Sequence, residues 1–349
     1  MMQMKKTILL GMPTDHGIYR MIEDNLKYLG FHVISIAYNH QEFNYPSITS
    51  RLKIKFQQIV LRDLHAKQKL KTSIFQPIVA QQLSLHPEID WALFIRADIY
   101  DTSLLKFIKN KISGGMVNYQ WDGLDRYPDI KKCMNVFDRF YIFDPADLDF
   151  DENLLPACNF YFDHNLHMLP DDSSGMYFIG THMPERIHAV NALCAAARQA
   201  GWHTNFHVGW FGRDATTIKN LYMKEVDIFH ESKSFEENQL AAQQAKVLVD
   251  FKTPTHNGLS FRIFESIGYE KKLITTNAEV KKYDFFHPNN IFVWDGKNLD
   301  GLADFLSHPY CPLDNSIRLK YSFSNWIKYL LDIHPHQKLT LPRIPFESH

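Results

Sequence analysis

Residues 247–277 decide the fold, and their sequence is VLVDFKTPTHNGLSFRIFESIGYEKKLITTN. The first four residues are an apolar run that ends in a carboxylate, which is typical of a buried parallel strand. A loop marked by Pro254, Asn257 and Gly258 follows. Apolar residues at steps of three from 261 to 267 predict one buried face of a helix, and LITT predicts the next strand. This strand–loop–helix–strand unit builds doubly wound α/β domains.

The start of this helix predicts a site for an anion. Ser260 is placed to cap the helix, and Gly258 lets backbone N–H groups approach a ligand closely. Arg262 lies in the first turn, where the helix dipole disfavours a cation. A bound diphosphate would reverse that cost and would use the free N–H groups.

Glu265 lies three residues beyond Arg262, on the same polar side. A carboxylate at this place could accept hydrogen bonds from the two hydroxyls of a ribose. The alternative is that Arg262 and Glu265 only pair as surface charges, three residues apart. The coincidence of a loop, a glycine, an arginine and a glutamate favours the ligand site.

The pattern D-x-K-x-x-x-x-N-G-L-S-x-R-x-x-E-S-x-x-x-x-K-K-L-I-T-T-N resembles the donor-site segment of GT-B glycosyltransferases. The resemblance is strongest to the bacterial group that assembles lipopolysaccharide, capsule and exopolysaccharide. In such enzymes a glycine loop and a glutamate of the C-terminal domain hold the nucleotide-sugar. By position, the glutamate matches Glu265. The loop matches Asn257, Gly258, Leu259 and Ser260.

The segments YQWDGLDRYPDI and FDRFYIFDPADL resemble, more loosely, the N-terminal half of the same group. The resemblance implies two Rossmann-like doubly wound α/β domains that face each other across a cleft. We expect an acceptor-binding domain at 1–165, a linker at 166–175 and a donor-binding domain at 176–315. Helices and a loosely held tail at 316–349 would cross back to the first domain.

Composition limits the other classes of function. The chain has 349 residues, of which 45% are hydrophobic, and a formal net charge of −1, so it lacks the electrostatic footprint of a nucleic-acid binder. No stretch approaches 18 apolar residues. The four cysteines are widely separated, which predicts reduced thiols in a cytoplasmic protein. The eighteen histidines show no H-E-x-x-H or comparable metal spacing.

Residues 48–85 form a basic and mostly helical segment. One interpretation is a solvated helix face. The alternative is a patch that meets an anionic acceptor, such as a lipid diphosphate, in peripheral contact with the inner face of the membrane. The cations of this segment are Arg51, Lys53, Lys55, Arg62, Lys67, Lys69 and Lys71.

Glycosyl transfer needs a stabilised diphosphate, an oriented donor and, in an inverting enzyme, a base for the acceptor hydroxyl. GT-B enzymes usually stabilise the diphosphate with helix N-termini and basic side chains, so no metal or other cofactor is implied. Lys252, Arg262 and the Gly258 loop suit that role. Gly180 and Thr181 are expected in the first loop of the second domain, where a backbone amide faces the donor or where the chain simply turns.

The base is expected from the first domain. The candidates are Asp122, which follows a predicted strand, and Asp15 with His16 in the first loop. Asp98 is a third option, and a retaining enzyme would need none of them. The pair Asp98 and Asp101 has the wrong spacing for the D-x-D metal motif of GT-A glycosyltransferases.

The sequence therefore predicts a transferase that moves a sugar from a nucleoside diphosphate to a cell-surface glycan or a lipid-linked acceptor. One alternative is a UDP-sugar epimerase of the same fold, which would turn over the donor without an acceptor. Another is a catalytically silent nucleotide-sugar-binding partner of a glycan assembly complex.

Overall fold

The computed structural model describes residues 6–39, 45–62, 66–86, 88–164, 166, 175–212 and 215–343. Within the predicted linker, residues 167–174 lie outside the described residues, as do residues 344–349 of the predicted tail. The chain divides into two compact units. The first contains residues 1–15, 22–142 and 147–156, and the second contains residues 16–21, 143–146 and 157–349.

The first unit is built on a six-stranded sheet in which all neighbouring strands are parallel. The strand order is β2-β1-β3-β4-β5-β6. The strands are β1 (Thr7–Gly11), β2 (His32–Ser35), β3 (Ile89–Ile95), β4 (Ile112–Gln120), β5 (Arg139–Ile142) and β6 (Leu154–Pro156). The helices of this part of the chain are α1 (Ile18–Tyr28), α2 (Ile48–Ile59), α3 (Ala66–Ser84) and α4 (Thr102–Lys109).

The second unit is also built on six parallel strands, in the order β12-β11-β10-β7-β8-β9. The strands are β7 (Met176–Thr181), β8 (Thr204–Gly209), β9 (Val226–Phe229), β10 (Val247–Asp250), β11 (Lys272–Thr275) and β12 (Ile291–Val293). The helices are α5 (Ile187–Gln199), α6 (Ala215–Lys219), α7 (Phe235–Gln244), α8 (Phe261–Gly268), α9 (Leu302–Ser307), α10 (Asn315–Lys320) and α11 (Phe323–Leu331).

The direction in which strands are added reverses once in each sheet. The reversal lies between β1 and β3 in the first sheet and between β7 and β10 in the second. In open α/β sheets, ligands bind outside the carboxyl ends of the strands at such a switch point. The end of β10, where the 247–277 stretch leaves the sheet, is therefore at the favoured position in the second unit.

The 247–277 stretch folds as the sequence predicts, but it is more deeply buried. All four residues of β10 are buried, as an interior parallel strand requires. Phe264 and Ile267 are almost fully buried, whereas Phe261 is only partly so. Residues 263–268 of α8 are all buried, so this helix has no polar face towards water in its second half.

Two local predictions are corrected by the structure. Gly180 and Thr181 were expected in a loop, but they are the last two residues of β7 and pair with Val208 and Gly209. The tail after α11 was expected to be loosely held. Instead, the backbone of Gln337 forms two hydrogen bonds, of 2.7 and 3.0 Å, with the side chain of Asn325 in α11. Leu339 is fully buried.

Two further features concern the described residues as a set. None of their helices has the length and apolar character needed to cross a membrane. All four cysteines are free, and three of them are buried. Burial raises the pKa of the Cys133 thiol to about 12, so this thiol is a poor nucleophile at neutral pH.

Candidate functional site

The loop at residues 251–260 leaves the carboxyl end of β10, where Asp250 is linked both to the last residue of the loop and to the end of β11. One carboxylate oxygen of Asp250 accepts a hydrogen bond from the Ser260 hydroxyl (2.7 Å), and the other accepts one from the Thr275 hydroxyl (2.8 Å). Ser260 occupies the N-cap position of α8, but its side chain makes no capping hydrogen bond. The predicted cap is thus replaced by a link to β10, which leaves helix N–H groups at this end without a side-chain cap.

Lys252 and Asn257 are held together inside this loop. The Lys252 Nζ donates to Asn257 Oδ1 (3.0 Å), and the Lys252 backbone N–H donates to the Thr276 hydroxyl (2.8 Å). The Asn257 N–H donates to Oδ2 of Asp144, which is buried (3.0 Å). Asp144 is a loop-positioning residue that the sequence did not predict. The sequence feature that could have indicated Asp144 is a carboxylate two residues after the end of β5.

Gly258 is required by a neighbouring ring. A Cβ atom at this position would lie 2.2 Å from Cε2 of Phe143, which is far inside van der Waals contact. From the sequence we interpreted this glycine as allowing a ligand to approach the backbone. The packing against Phe143 explains the glycine without any ligand. The next residue, Leu259, is buried, and its carbonyl accepts a hydrogen bond from Asn159 Nδ2 (2.9 Å).

Arg186 reaches the same loop from across the switch point, and the sequence did not predict it. It precedes α5, and its Nη2 donates to the carbonyl of Phe251 (2.6 Å) and to the hydroxyl of Thr253 (2.7 Å). Its Nε is buried and has no hydrogen-bond partner among the described residues. Burial lowers the pKa of Arg186, and the nearby charge of Asp250 partly opposes that shift. The sequence feature that could have indicated Arg186 is its position shortly after β7, the first strand of the second unit.

Gly180 gives Arg186 its space. A Cβ atom on Gly180 would lie 3.5 Å from Arg186 Nη1 and 3.0 Å from the Phe178 ring. Thr181, the next residue, is exposed at the end of β7. Gly180 therefore lies beside Arg186, which contacts the β10–α8 loop where the donor site was predicted.

Arg262 and Glu265 form an ion pair that is largely buried. Arg262 Nη1 lies 2.6 Å from Glu265 Oε2, and the two side chains are 13% and 5% exposed. The Arg262 guanidinium lies over the Tyr177 ring at 5.0 Å. Burial raises the pKa of Glu265, although Arg262 opposes the shift. The pairing that was the alternative to a ligand site therefore occurs, but it lies inside the unit and not on the surface. In this arrangement a ligand would reach Glu265 only if the pair opened.

The candidate bases of the N-terminal half differ in their partners. Asp122 Oδ1 accepts a hydrogen bond from Arg126 (2.7 Å), and both oxygens of Asp98 are held by Arg96 (3.0 and 2.6 Å). Asp15 begins a short turn after β1 and forms no ion pair with any described residue. The histidine that follows it, His16, groups with the second unit, where its Nδ1 lies 2.6 Å from the Ser232 hydroxyl.

The described residues contain one group whose ligand atoms could hold a metal ion. Asp332, His334 and His336, at the end of α11, bring one ligand atom each within 4.8 Å of the others. None of the three belongs to the β10–α8 loop. Asp101, which the sequence compared with a metal motif, instead caps α4 by accepting from the Ser103 N–H (2.8 Å).

Comparisons with known proteins bear on the fold. No protein-family model matches the chain, and no curated protein matches its sequence. Among solved structures, an alpha-glucosyltransferase in complex with UDP and a 13-mer DNA has a TM-score of 0.54 at 13% identity, covering 94% of this chain and 99% of that one. A second complex, with DNA containing a HMU base, has a TM-score of 0.54 at 10% identity, covering 94% and 99%.

A UDP-N-acetylglucosamine 2-epimerase has a TM-score of 0.46 at 9% identity, covering 96% of this chain and all of that one (100%). At such identities, only the fold is shared, and the likeness to the alpha-glucosyltransferase extends along nearly the whole chain. The chain therefore has the two-domain α/β fold of GT-B glycosyltransferases, with one parallel six-stranded sheet in each unit.

Proposed function

We propose that the protein is a glycosyltransferase that binds a nucleoside diphosphate sugar at the β10–α8 loop. Its acceptor would be a hydroxyl of a cell-surface glycan or of a lipid-linked sugar. The observation that carries the proposal is the gathering of Arg186, Lys252 and the start of α8 at the switch point of the second sheet.

The charges at this point suit a diphosphate. Both hydrogen-bond acceptors of Arg186 Nη2 are neutral oxygens, and the acceptor of Lys252 Nζ is an amide oxygen. A partly buried cation is stabilised most by an anionic partner, and the N-terminus of a helix adds N–H donors. A diphosphate would supply that anion, and the same groups would stabilise it as the leaving group.

Within this proposal, the loop residues that contact the donor are Lys252, Asn257, Gly258 and Ser260. The sequence assigned Arg262 to the diphosphate and Glu265 to the ribose, whereas here we give both residues a structural role. Because they pair inside the unit, they hold the first turns of α8 in place and position the loop.

On the acceptor side, the geometry favours Asp15 over Asp122 as the base. Asp122 is paired with Arg126, so its carboxylate is already engaged by a cation, whereas Asp15 forms no ion pair with any described residue. The first unit also contains a cavity of about 120 Å³ beyond the ends of β2 and β3, lined by Tyr38, Phe75 and Tyr100. Aromatic walls with nearby polar groups suit one sugar ring.

The experiment is thermal unfolding in the presence of nucleoside diphosphates and their sugars. A ligand at a hundred times its Kd stabilises the native state by about 2.7 kcal/mol. We expect Lys252→Ala to weaken the donor at least about tenfold, because it removes a cation from the site. Lys246→Ala is the matched control, since Lys246 is exposed just before the other end of β10. Equal donor affinity in both variants would refute the proposed site.

A transfer assay separates the alternatives that share this site. Sugar transfer to added glycan or lipid-linked acceptors supports the transferase. Conversion of the donor sugar with no acceptor present would indicate an epimerase, and donor binding without turnover would indicate a silent partner. The alpha-glucosyltransferase of similar fold was solved in complex with DNA. For the present chain, the net charge of −1 does not favour DNA as the acceptor.

A further inference from the structure

Helix α2 presents an apolar stripe to solvent. Ile48, Leu52, Phe56 and Ile59 are 79%, 61%, 56% and 75% exposed. At 3.6 residues per turn they lie within roughly 80° of the helix circumference. The helix uses the opposite side for packing, where Ile54 is buried. This is the reverse of an ordinary surface helix, which turns its apolar side inward and its polar side to water.

Cations flank the apolar stripe. Lys53 lies on one side of it, and Arg51 and Lys55 lie on the other, all exposed. The whole segment at 48–85 contains seven lysines and arginines (51, 53, 55, 62, 67, 69 and 71) against one acid at 63. The net charge of the full chain is −1, so this segment concentrates positive charge on one part of the first unit.

We propose that α2 binds an anionic membrane surface, with its apolar stripe among the acyl chains and its cations at the lipid phosphates. Helices that lie in the membrane interface combine these two features. A second copy of the chain fits less well as the occupant. A symmetric dimer would bring the same cations of both copies together.

Membrane binding by α2 would also bring the cavity lined by Tyr38, Phe75 and Tyr100 close to lipid. Helix α3 packs against α2 and contributes Phe75 to the cavity that we assign to the acceptor. A protein lying on this face would therefore hold that cavity near the lipid phosphates, where the head group of a lipid-linked sugar is found. This last step rests on the proposed function, whereas membrane binding by α2 does not.

Co-sedimentation of the full chain with vesicles tests the proposal. We expect binding to vesicles of phosphatidylglycerol and phosphatidylcholine, weaker binding in 0.5 M salt, and little binding to phosphatidylcholine alone. Phe56→Glu should reduce the binding at least about tenfold, because it places a charge in the stripe. Phe150→Glu is the matched control, since Phe150 is 51% exposed elsewhere in the same unit. Lys53→Ser with Lys55→Ser should reduce binding only to the anionic vesicles.

The proposal is overturned if the wild-type chain stays in the supernatant, or if Phe56→Glu binds as well as Phe150→Glu. It is also overturned if Phe56→Glu converts a dimer into a monomer and the wild type ignores vesicles, because the occupant is then a second copy. Donor-induced thermal stabilisation of Phe56→Glu should equal that of the wild type. Failure of the donor site and failure of the membrane surface are therefore measured separately.

Discussion

At the scale of single residues, the ion pair of Arg262 and Glu265 decides how the candidate site can be tested. Glu265 is buried and Arg262 is mostly buried, and Arg262 is the cation that opposes the effect of burial on the Glu265 carboxylate. Removing one partner of such a pair leaves an uncompensated charge in the interior. A loss of donor binding in a Glu265 variant would therefore mix local unfolding with a lost contact to the donor. Lys252 gives a cleaner test, because its side chain makes one hydrogen bond to the described residues, to Asn257.

We expect Glu265→Ala to lower the free energy of unfolding by about 3–5 kcal/mol, because Arg262 stays mostly buried without its partner. The double variant Arg262→Met, Glu265→Leu should recover most of that loss, since two apolar side chains need no compensation. Urea unfolding of the single and double variants measures both values. A loss below about 1 kcal/mol in Glu265→Ala would contradict the burial of the pair.

The sequence could predict that Arg262 and Glu265 meet, because residues three apart on a helix are neighbours. It could not predict that they meet in the interior. Burial of residues 263–268 depends in part on distant segments, because α10 packs against this helix and the Tyr161 ring lies against Gly268. Asp144 was missed for the same reason, since its contact with Asn257 spans 113 positions.

At the scale of elements, the β10–α8 loop is shaped by a ring from a distant segment. Phe143 fills the space that a side chain at position 258 would need. The sequence indicated a special role for Gly258, but it could not show the packing against Phe143. Glycine at a loop suggested a ligand, whereas the neighbour that excludes a Cβ atom is 115 positions earlier in the chain (258 − 143).

We expect Gly258→Ala to cost about 1–3 kcal/mol of stability, because the new methyl group and the Phe143 ring cannot both keep their places. Phe143→Leu in the same chain should restore part of the loss by giving up ring volume. The four chains of this cycle can be compared by thermal unfolding. Additive losses in the double variant would show that the two positions do not interact.

Periodicity correctly predicted β10, α8 and β11. Two strand ends could not be recognised from the sequence, for a common reason. The three-residue β6 ends in a proline, so it shows no alternation, and the end of β7 contains Gly180, which is a turn former in most sequences. Short or glycine-containing strands are defined by their neighbours in the sheet, and those neighbours are not visible in a local pattern.

At the scale of the whole molecule, Asp90 ties together two strands that are distant in sequence. It follows the first residue of β3 and accepts hydrogen bonds from the Thr7 N–H and from Lys6, both at 2.8 Å. Partial burial acts to raise the pKa of Asp90, but these hydrogen bonds and the charge of Lys6 outweigh it and lower the pKa below its usual value of 3.8.

Because the folded-state pKa of Asp90 is depressed, its contribution to stability is present above about pH 4 and is lost as the pH falls through the folded-state value. We expect the wild-type chain to lose stability across that acid window more steeply than Asp90→Asn, which cannot titrate. Urea midpoints measured from pH 5 to pH 2.5 give both slopes. Parallel curves for the two chains would contradict a role for this carboxylate in acid stability.

The two sheets share their strand number and direction, but they differ in order, and this has a practical consequence for building chimeric proteins. In the first unit the crevice-forming pair is the first and third strands, whereas in the second unit it is the first and fourth. Segments with equal rank in the two halves are therefore not equivalent. An exchange of loops between the halves has to be matched by place in the sheet, so the segment after β3 corresponds to the segment after β10 and not to the one after β9.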